Sequence, residues 1–501
     1  MRVSALLLLA TLVLAGCLGS SSTSSSQPPG SDPFAPYRLD CSISNWEDPC
    51  TVLASPNMSP SKTEIDIAVN PTDPLNAFVA SKDNDPSASG CVWAVGQVTF
   101  DGGKSWETTI IGGPQGERAP SDILFGWNCI TDPILTYNKE GTLFYALQVY
   151  EYDPVGLPVV NDPVLGSAIP PDGGLQLLAV SHDGGRTFPE TYVLHVGDSG
   201  ATIFHDYMRI GASPTTGTVF TIWNQITASV QSIPVLVAYK MDAQRAEVPV
   251  YFPNLPEAAG DGLSTGESGI VVDNTGRVYA WLGGFNSPNK VFFATSTDDG
   301  ATFSLLQEAF AFTPMGTMAN VSFRHGTVVD LAVDNSGGSR DGCLYAAWGG
   351  QEEGTVGPSD VYVRTSCDQG QSWSAPILVN SGAREDGQWM VRPSVDGLGT
   401  VHLVYMTRAY DPDHTLVDAE HAYSLDGGAT WTTERVTGFS YSGDKGVHQS
   451  GFPFFGDYIG ISSAGDTTYM GFPECITEVC EIGVAVSRHT PHNADVEPHT
   501  H

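Results

Sequence analysis

Thr99-Phe100-Asp101-Gly102-Gly103-Lys104-Ser105-Trp106 is one of five copies of a short turn. The others are Ser181 to Phe188 (SHDGGRTF), Ser296 to Phe303 (STDDGATF), Ser366 to Trp373 (SCDQGQSW) and Ser424 to Trp431 (SLDGGATW). The shared pattern is Ser/Thr-x-Asp-x-Gly-x-Ser/Thr-aromatic. An Asp at the head of a tight turn accepts hydrogen bonds from the amides that follow, and Gly takes the positive φ that other residues avoid. The aromatic then starts the next strand. Each copy therefore joins two antiparallel strands. One copy would mark a turn; five mark a repeat architecture.

Working outward, each turn closes a module of about 60 residues. A module opens with an alternating strand, a small Gly/Asn/Asp turn and a second strand. The openings are Glu64 to Val69 with Ala77 to Ser81, Asp132 to Thr136 with Thr142 to Ala146, Tyr207 to Ala212 with Val219 to Trp223, Ser268 to Val272 with Val278 to Trp281, Val328 to Val333 with Leu344 to Trp348, Arg392 to Val395 with Val401 to Tyr405, and Tyr458 to Ser462 with Thr468 to Phe472. The third module has a degenerate turn at Met241-Asp242-Ala243, and the seventh ends after its third strand, Ile482 to Val486. Thr51 to Ala54 would supply the missing strand and close a ring, removing the free edges. The fold expected is all-β: a β-propeller of seven four-stranded antiparallel blades spanning residues 51–488.

The repeated turn resembles the Asp box, or BNR repeat, of sialidase-type β-propellers. Those propellers usually have six blades, which is the alternative count. Strand parity puts the box turns on the bottom face and the start of each first strand on the top face. The long insertions Asp83 to Gly90, Glu151 to Gly174, Gly349 to Ser359, Ala409 to Asp418 and Gly438 to Gly456 fall on top. With them come Trp127, Trp389, Tyr410, Phe452, Phe454 and Phe455, aromatics on which sugar rings could stack.

Polar residues that begin the first strands ring the channel mouth: Glu64, Asp132, Asp206, Glu267, Arg324, Arg392 and the Asp457-Tyr458 pair. Converging polar groups on one axial pocket suggest a binding site. The resemblance implies a retaining exo-glycosidase with Tyr458 as nucleophile, Glu267 as its base and Asp83 as proton donor. It implies Arg324 and Arg392 as two of three carboxylate-clamping arginines. The position of the third is Glu64-Ile65-Asp66, and a carboxylate there repels an anionic sugar. Glu64, Asp132, Asp206 and Asp457 therefore suit a neutral or cationic sugar. No cofactor is required, although such carboxylates could hold Ca²⁺. Two functions stand side by side: a glycan hydrolase, or a non-catalytic adhesion or scaffold propeller that binds polysaccharide or protein.

The ends bear on location. Arg2, the apolar run Leu6 to Leu14 and Leu14-Ala15-Gly16-Cys17 read as a signal peptide with a lipobox over residues 1–17. Lipidation of Cys17 would anchor an exported protein to the outer side of the cell membrane, with residues 18–50 as a flexible tether. Residues 489–501 form a His-containing tail. The other cysteines, Cys41, Cys50, Cys91, Cys129, Cys343, Cys367, Cys475 and Cys480, are even in number, which favours disulfides in an exported chain. The pairing proposed is Cys41–Cys50, Cys91–Cys129, Cys343–Cys367 and Cys475–Cys480. A net charge of −34, from 56 acidic and 22 basic residues, argues against nucleic acid and anionic membranes as partners. The partner expected is an extracellular glycan or glycoprotein, bound by a monomer.

Overall fold

In each repeated turn an aspartate organises the chain through the same bonds. Asp101 Oδ1 accepts from the Thr99 hydroxyl and the Ser105 amide, both at 2.9 Å, and Oδ2 accepts from the Ser105 hydroxyl at 2.6 Å. The pattern recurs at Asp183, Asp298, Asp368 and Asp426. At Asp368 the Ser372 hydroxyl and amide hold the carboxyl down at about 2. The third module turns without a glycine: Gln244 takes the positive φ, at 46°.

A computed structural model of the chain describes residues 50–55, 61–85, 90–111, 124, 127–152, 174–196, 203–227, 232–247, 250–252, 265–284, 289–351, 359–380, 386–445, 447–449, 452–475 and 479–488. Among these the strands form seven antiparallel blades, each ordered from the channel outward. The inner strands are Ser61–Val69, Trp127–Tyr137, Ile203–Ala212, Thr265–Val272, Val329–Val333, Trp389–Val395 and Gly460–Ala464, in blades 1 to 7. Blade 3 carries an extra short strand, Val250–Tyr251. A two-stranded hairpin, Val447–Gln449 with Phe452–Phe454, precedes blade 7.

The ring closes as the sequence suggests. Cys50–Leu53 is the outer strand of the last blade, with Cys50 opposite Val486 and Leu53 opposite Gly483. The Ser55 hydroxyl fixes the closure, donating to Glu481 and accepting from the Ile482 amide, each at 2.9 Å. The strand that leads into blade 1 thus completes the four-stranded sheet of blade 7.

Blades pack face to face through aromatic residues. Phe78 of blade 1 meets Tyr145 and Phe188 of blade 2 at centroid distances of 6.0 and 5.4 Å. The bottom turns lock the same interface: Asn76 Nδ2 donates to Gly184 O at 2.9 Å, and Tyr137 donates to it at 3.0 Å. Cys343–Cys367 and Cys475–Cys480 are disulfides, and Cys129 is disulfide-bonded. The side chain of Cys91, and the expected Cys41–Cys50 pair, lie outside the described residues.

Candidate functional site

The inner strands do not enter the channel smoothly. Their pairing slips between Thr63 and Asp66, Thr131 and Ile134, Asp206 and Arg209, and Trp389 and Arg392. Within each slip one residue adopts left-handed backbone: Glu64 (φ 50°), Asp132 (53°), Tyr207 (63°) and Met390 (54°). Each such non-glycine residue costs about 1–3 kcal/mol. A bulge adds one residue and re-aims the side chains around it. The strained positions coincide with the mouth.

Two layers of charge result. The upper layer brings together Glu64, Asp132, Asp206 and Asp457, from four blades or their approaches, with Lys82 and Arg324. Lys82 Nζ lies 3.1 Å from Glu64, and Arg324 holds Asp457 with both prongs, Nε to Oδ1 at 2.9 Å and Nη2 to Oδ2. Both cations sit over the Phe454 ring, at 5.1 and 5.0 Å. The lower layer holds Asp66, Arg209, Asp330, Arg392 and Tyr458. Arg392 pairs with Asp330 at 2.5 Å and lies 3.9 Å from Asp66. Arg209 lies over the rings of Tyr207 and Tyr458, at 4.6 and 5.0 Å.

Burial and mutual repulsion raise the pKa of three of these carboxyls, Glu64, Asp206 and Asp457. Burial drives Glu64 up to about 8 against the attraction of Lys82, with Asp132 and Asp457 pushing the same way. Burial raises Asp206 well above the usual range, helped by Asp132, which is hydrogen-bonded to it. Burial also raises Asp457, although Arg324 opposes it. Glu64 thus keeps its proton at neutral pH, at a mouth that also holds an arginine whose side chain is 60% exposed. A cavity of about 220 Å³ opens there, lined by Tyr207, Arg324, His325, Trp389 and Asp457 among others.

Of the expected catalytic residues, Tyr458 and Asp83 are buried and each is held by its own partners. Tyr458 is 2% exposed, its hydroxyl donates to Pro133 O at 3.3 Å, and burial with the charges of Asp132 and Glu64 raises its pKa. Asp83 is buried beside Lys62, 3.0 Å away, and accepts from the Ser81 hydroxyl at 2.7 Å. Lys82, its neighbour in the strand, is the residue that reaches Glu64. Glu267 pairs with Gly283 in its blade, and its side chain lies outside the described residues. Arg392 is more buried than Arg324 and pairs with Asp330, whereas Arg324 pairs with Asp457.

The top-face aromatics are mostly core. Trp127, Trp389, Phe454 and Phe455 are buried, and Phe323 stacks on Trp389 at 5.5 Å. Tyr410 is 37% exposed. The Phe452 side chain lies outside the described residues. Lys82, Arg209, Asp66 and Asp330 were missed by the sequence reading. Their places follow from the register: Asp66 and Arg209, like Arg392, stand two residues beyond a left-handed bulge residue, and Lys82 stands opposite Thr63. Among the described residues no group of three or more His, Cys, Asp or Glu is placed to hold a metal ion.

No protein-family model and no curated protein matches the chain. Solved structures do. A protein of unknown function from Dyadobacter fermentans is 14% identical over 88% of this chain and 98% of its own, with a TM-score of 0.45. An ulvan lyase of a new polysaccharide lyase family is 12% identical over 87% and 95%, at 0.47. A Hadza microbial sialidase is 13% identical over 82% and 76%, at 0.42.

Proposed function

We propose that the protein binds an extracellular glycan at the channel mouth and cleaves a glycosidic bond of a neutral or cationic sugar. The observation that carries this reading is the meeting of Glu64, Asp132, Asp206 and Asp457 at the mouth, where burial pushes Glu64 up to about 8 and raises Asp206 and Asp457. In this scheme Asp206 gives its proton to the glycosidic oxygen as the C–O bond breaks. Water then attacks the sugar carbon, and its proton returns to the Asp132–Asp206 pair. Arg324 and Asp457 orient the sugar through its hydroxyls. Asp83, held by Lys62, is given no part.

A second reading, a binding propeller without turnover, is favoured by the burial of Tyr458 and its bond to Pro133. One experiment separates the two. The full chain, Asp206→Asn and Tyr458→Phe are assayed on fluorogenic glycosides that include a sialoside. Turnover lost in Asp206→Asn and kept in Tyr458→Phe supports the carboxyl scheme. Turnover lost in Tyr458→Phe restores the tyrosine route, with Glu267 as its base. No turnover, with glycan binding retained, leaves the binding propeller.

The proposal includes export and anchoring through Cys17. The Cys343–Cys367 and Cys475–Cys480 disulfides support it, because such bonds persist in oxidising compartments.

A further inference from the structure

A second cleft opens between blades 4 and 5, toward the outer strands and away from the channel. It has a volume of about 400 Å³ and is lined by Asn289, Phe312, Trp348, Gln351, Tyr362 and Arg364, with Pro314 and Pro376 at its margins. That size falls within the range of small-ligand sites. The walls are pinned: Phe312 N donates to Asn289 O at 3.0 Å, and Gln351 N to Thr313 O at 3.1 Å. The segment crossing between the blades is therefore bonded to both. Trp348 stacks with Phe310 and with Tyr362, each at 5.8 Å.

Arg364 carries the charge of this cleft. It lies 5.2 Å over the Phe310 ring, and its Nη1 donates to Ser374 O at 2.7 Å. Its Nε is buried without a hydrogen-bond partner. No carboxylate lines the cleft among the described residues, and burial is the one influence on the guanidinium, lowering its pKa. The chain has 56 acidic residues against 22 basic ones. A half-buried arginine with no acidic neighbour is notable against that excess.

We propose that this cleft is a second saccharide site, which takes a sugar ring bearing a carboxylate or a sulfate ester. Aromatic walls suit the C–H faces of a sugar ring. The Asn289 and Gln351 amides match its hydroxyls. The guanidinium fork matches either anion. The site is separate from the mouth and does not rest on the chemistry assigned there.

Calorimetry on the full chain tests it, with tetragalacturonate, a sulfated galactotetraose and neutral galactotetraose as probes. We expect at least one charged probe to bind about tenfold or more tighter than the neutral one, as a charge-assisted pair allows. Arg364→Gln abolishes that preference, Gln351→Ala weakens binding severalfold, and Arg324→Gln leaves it unchanged. Thermal melting checks that each variant is folded. Three results would each overturn the proposal: no binding of either charged probe, binding indifferent to Arg364→Gln, or binding lost in Arg324→Gln, which would assign the anion to the mouth.

Discussion

Arg324 and Asp457 stand 133 residues apart in the chain and meet as a two-pronged ion pair at the channel mouth. The pair joins the approach to blade 5 with the approach to blade 7. Its carboxylate is 27% exposed and its guanidinium 60%, so water screens the attraction and stability gains little from it. Arg324→Gln should cost under about 1 kcal/mol in urea denaturation yet weaken glycan binding at the mouth about tenfold. Unchanged affinity in calorimetry would remove Arg324 from the binding site.

Glu64 couples the mouth to pH. Its folded pKa of about 8 lies above the ordinary 4.5, so the folded state binds the extra proton between those values. The stabilisation is full below about 4.5 and disappears as pH rises through about 8. Its slope reaches at most about 1.4 kcal/mol per pH unit. Denaturation from pH 5 to 9 should show stability falling in the native protein and a flatter curve in Glu64→Gln. Equal slopes would mean that Glu64 ionises normally.

A second titrating group lies in blade 6. Asp396 is buried, and burial works against its charge, but His402 at 3.3 Å and the Leu398 and Thr400 amides lower its pKa. A depressed carboxyl gives stability that is present above its unfolded pKa and lost as pH falls through the folded one. Asp396→Asn should cost about 2–4 kcal/mol at pH 7 and show a shallower loss below about pH 4. Parallel acid limbs would refute the assignment. His402 in turn bonds His421 at 3.0 Å, which meets Glu434 at 2.7 Å.

The bottom turns predict a local steric effect. Gly184 has φ 76°, and a Cβ there would stand 2.7 Å from Asn76 Oδ1. That contact belongs to the interface of blades 1 and 2. Gly184→Ala should cost about 2–4 kcal/mol, from the backbone conformation and the crowding together. Gly217→Ala has a similar φ of 74° with nothing within 4 Å, and should cost less. Equal losses in melting experiments would show that the backbone alone decides.

Two of the proposed cysteine pairs, Cys343–Cys367 and Cys475–Cys480, form disulfides, and the count of seven blades, read with six as the alternative, and the strand that closes the ring were legible in the sequence. These follow from alternation along a strand and from turns whose bonds span four or five residues, so the information is local. The repeated Asp-x-Gly signal survives even where Gln244 replaces the glycine, because neighbouring modules fix the period.

The mouth was legible only as a list of residues. Glu64, Asp132, Asp206 and Asp457 do meet, but the first three stand at bulges inside the inner strands and not at the strand starts read from the sequence. Tertiary structure decided the rest. A bulge shifts side chains by one position, which sets Arg392 beside Asp330 and lays Arg209 over the Tyr458 ring. Strand pairing turns Lys82 toward Glu64 and Asp83 toward Lys62. Whether a carboxyl keeps its proton depends on burial and on charges from other blades, and these are set by how seven sheets pack around one axis.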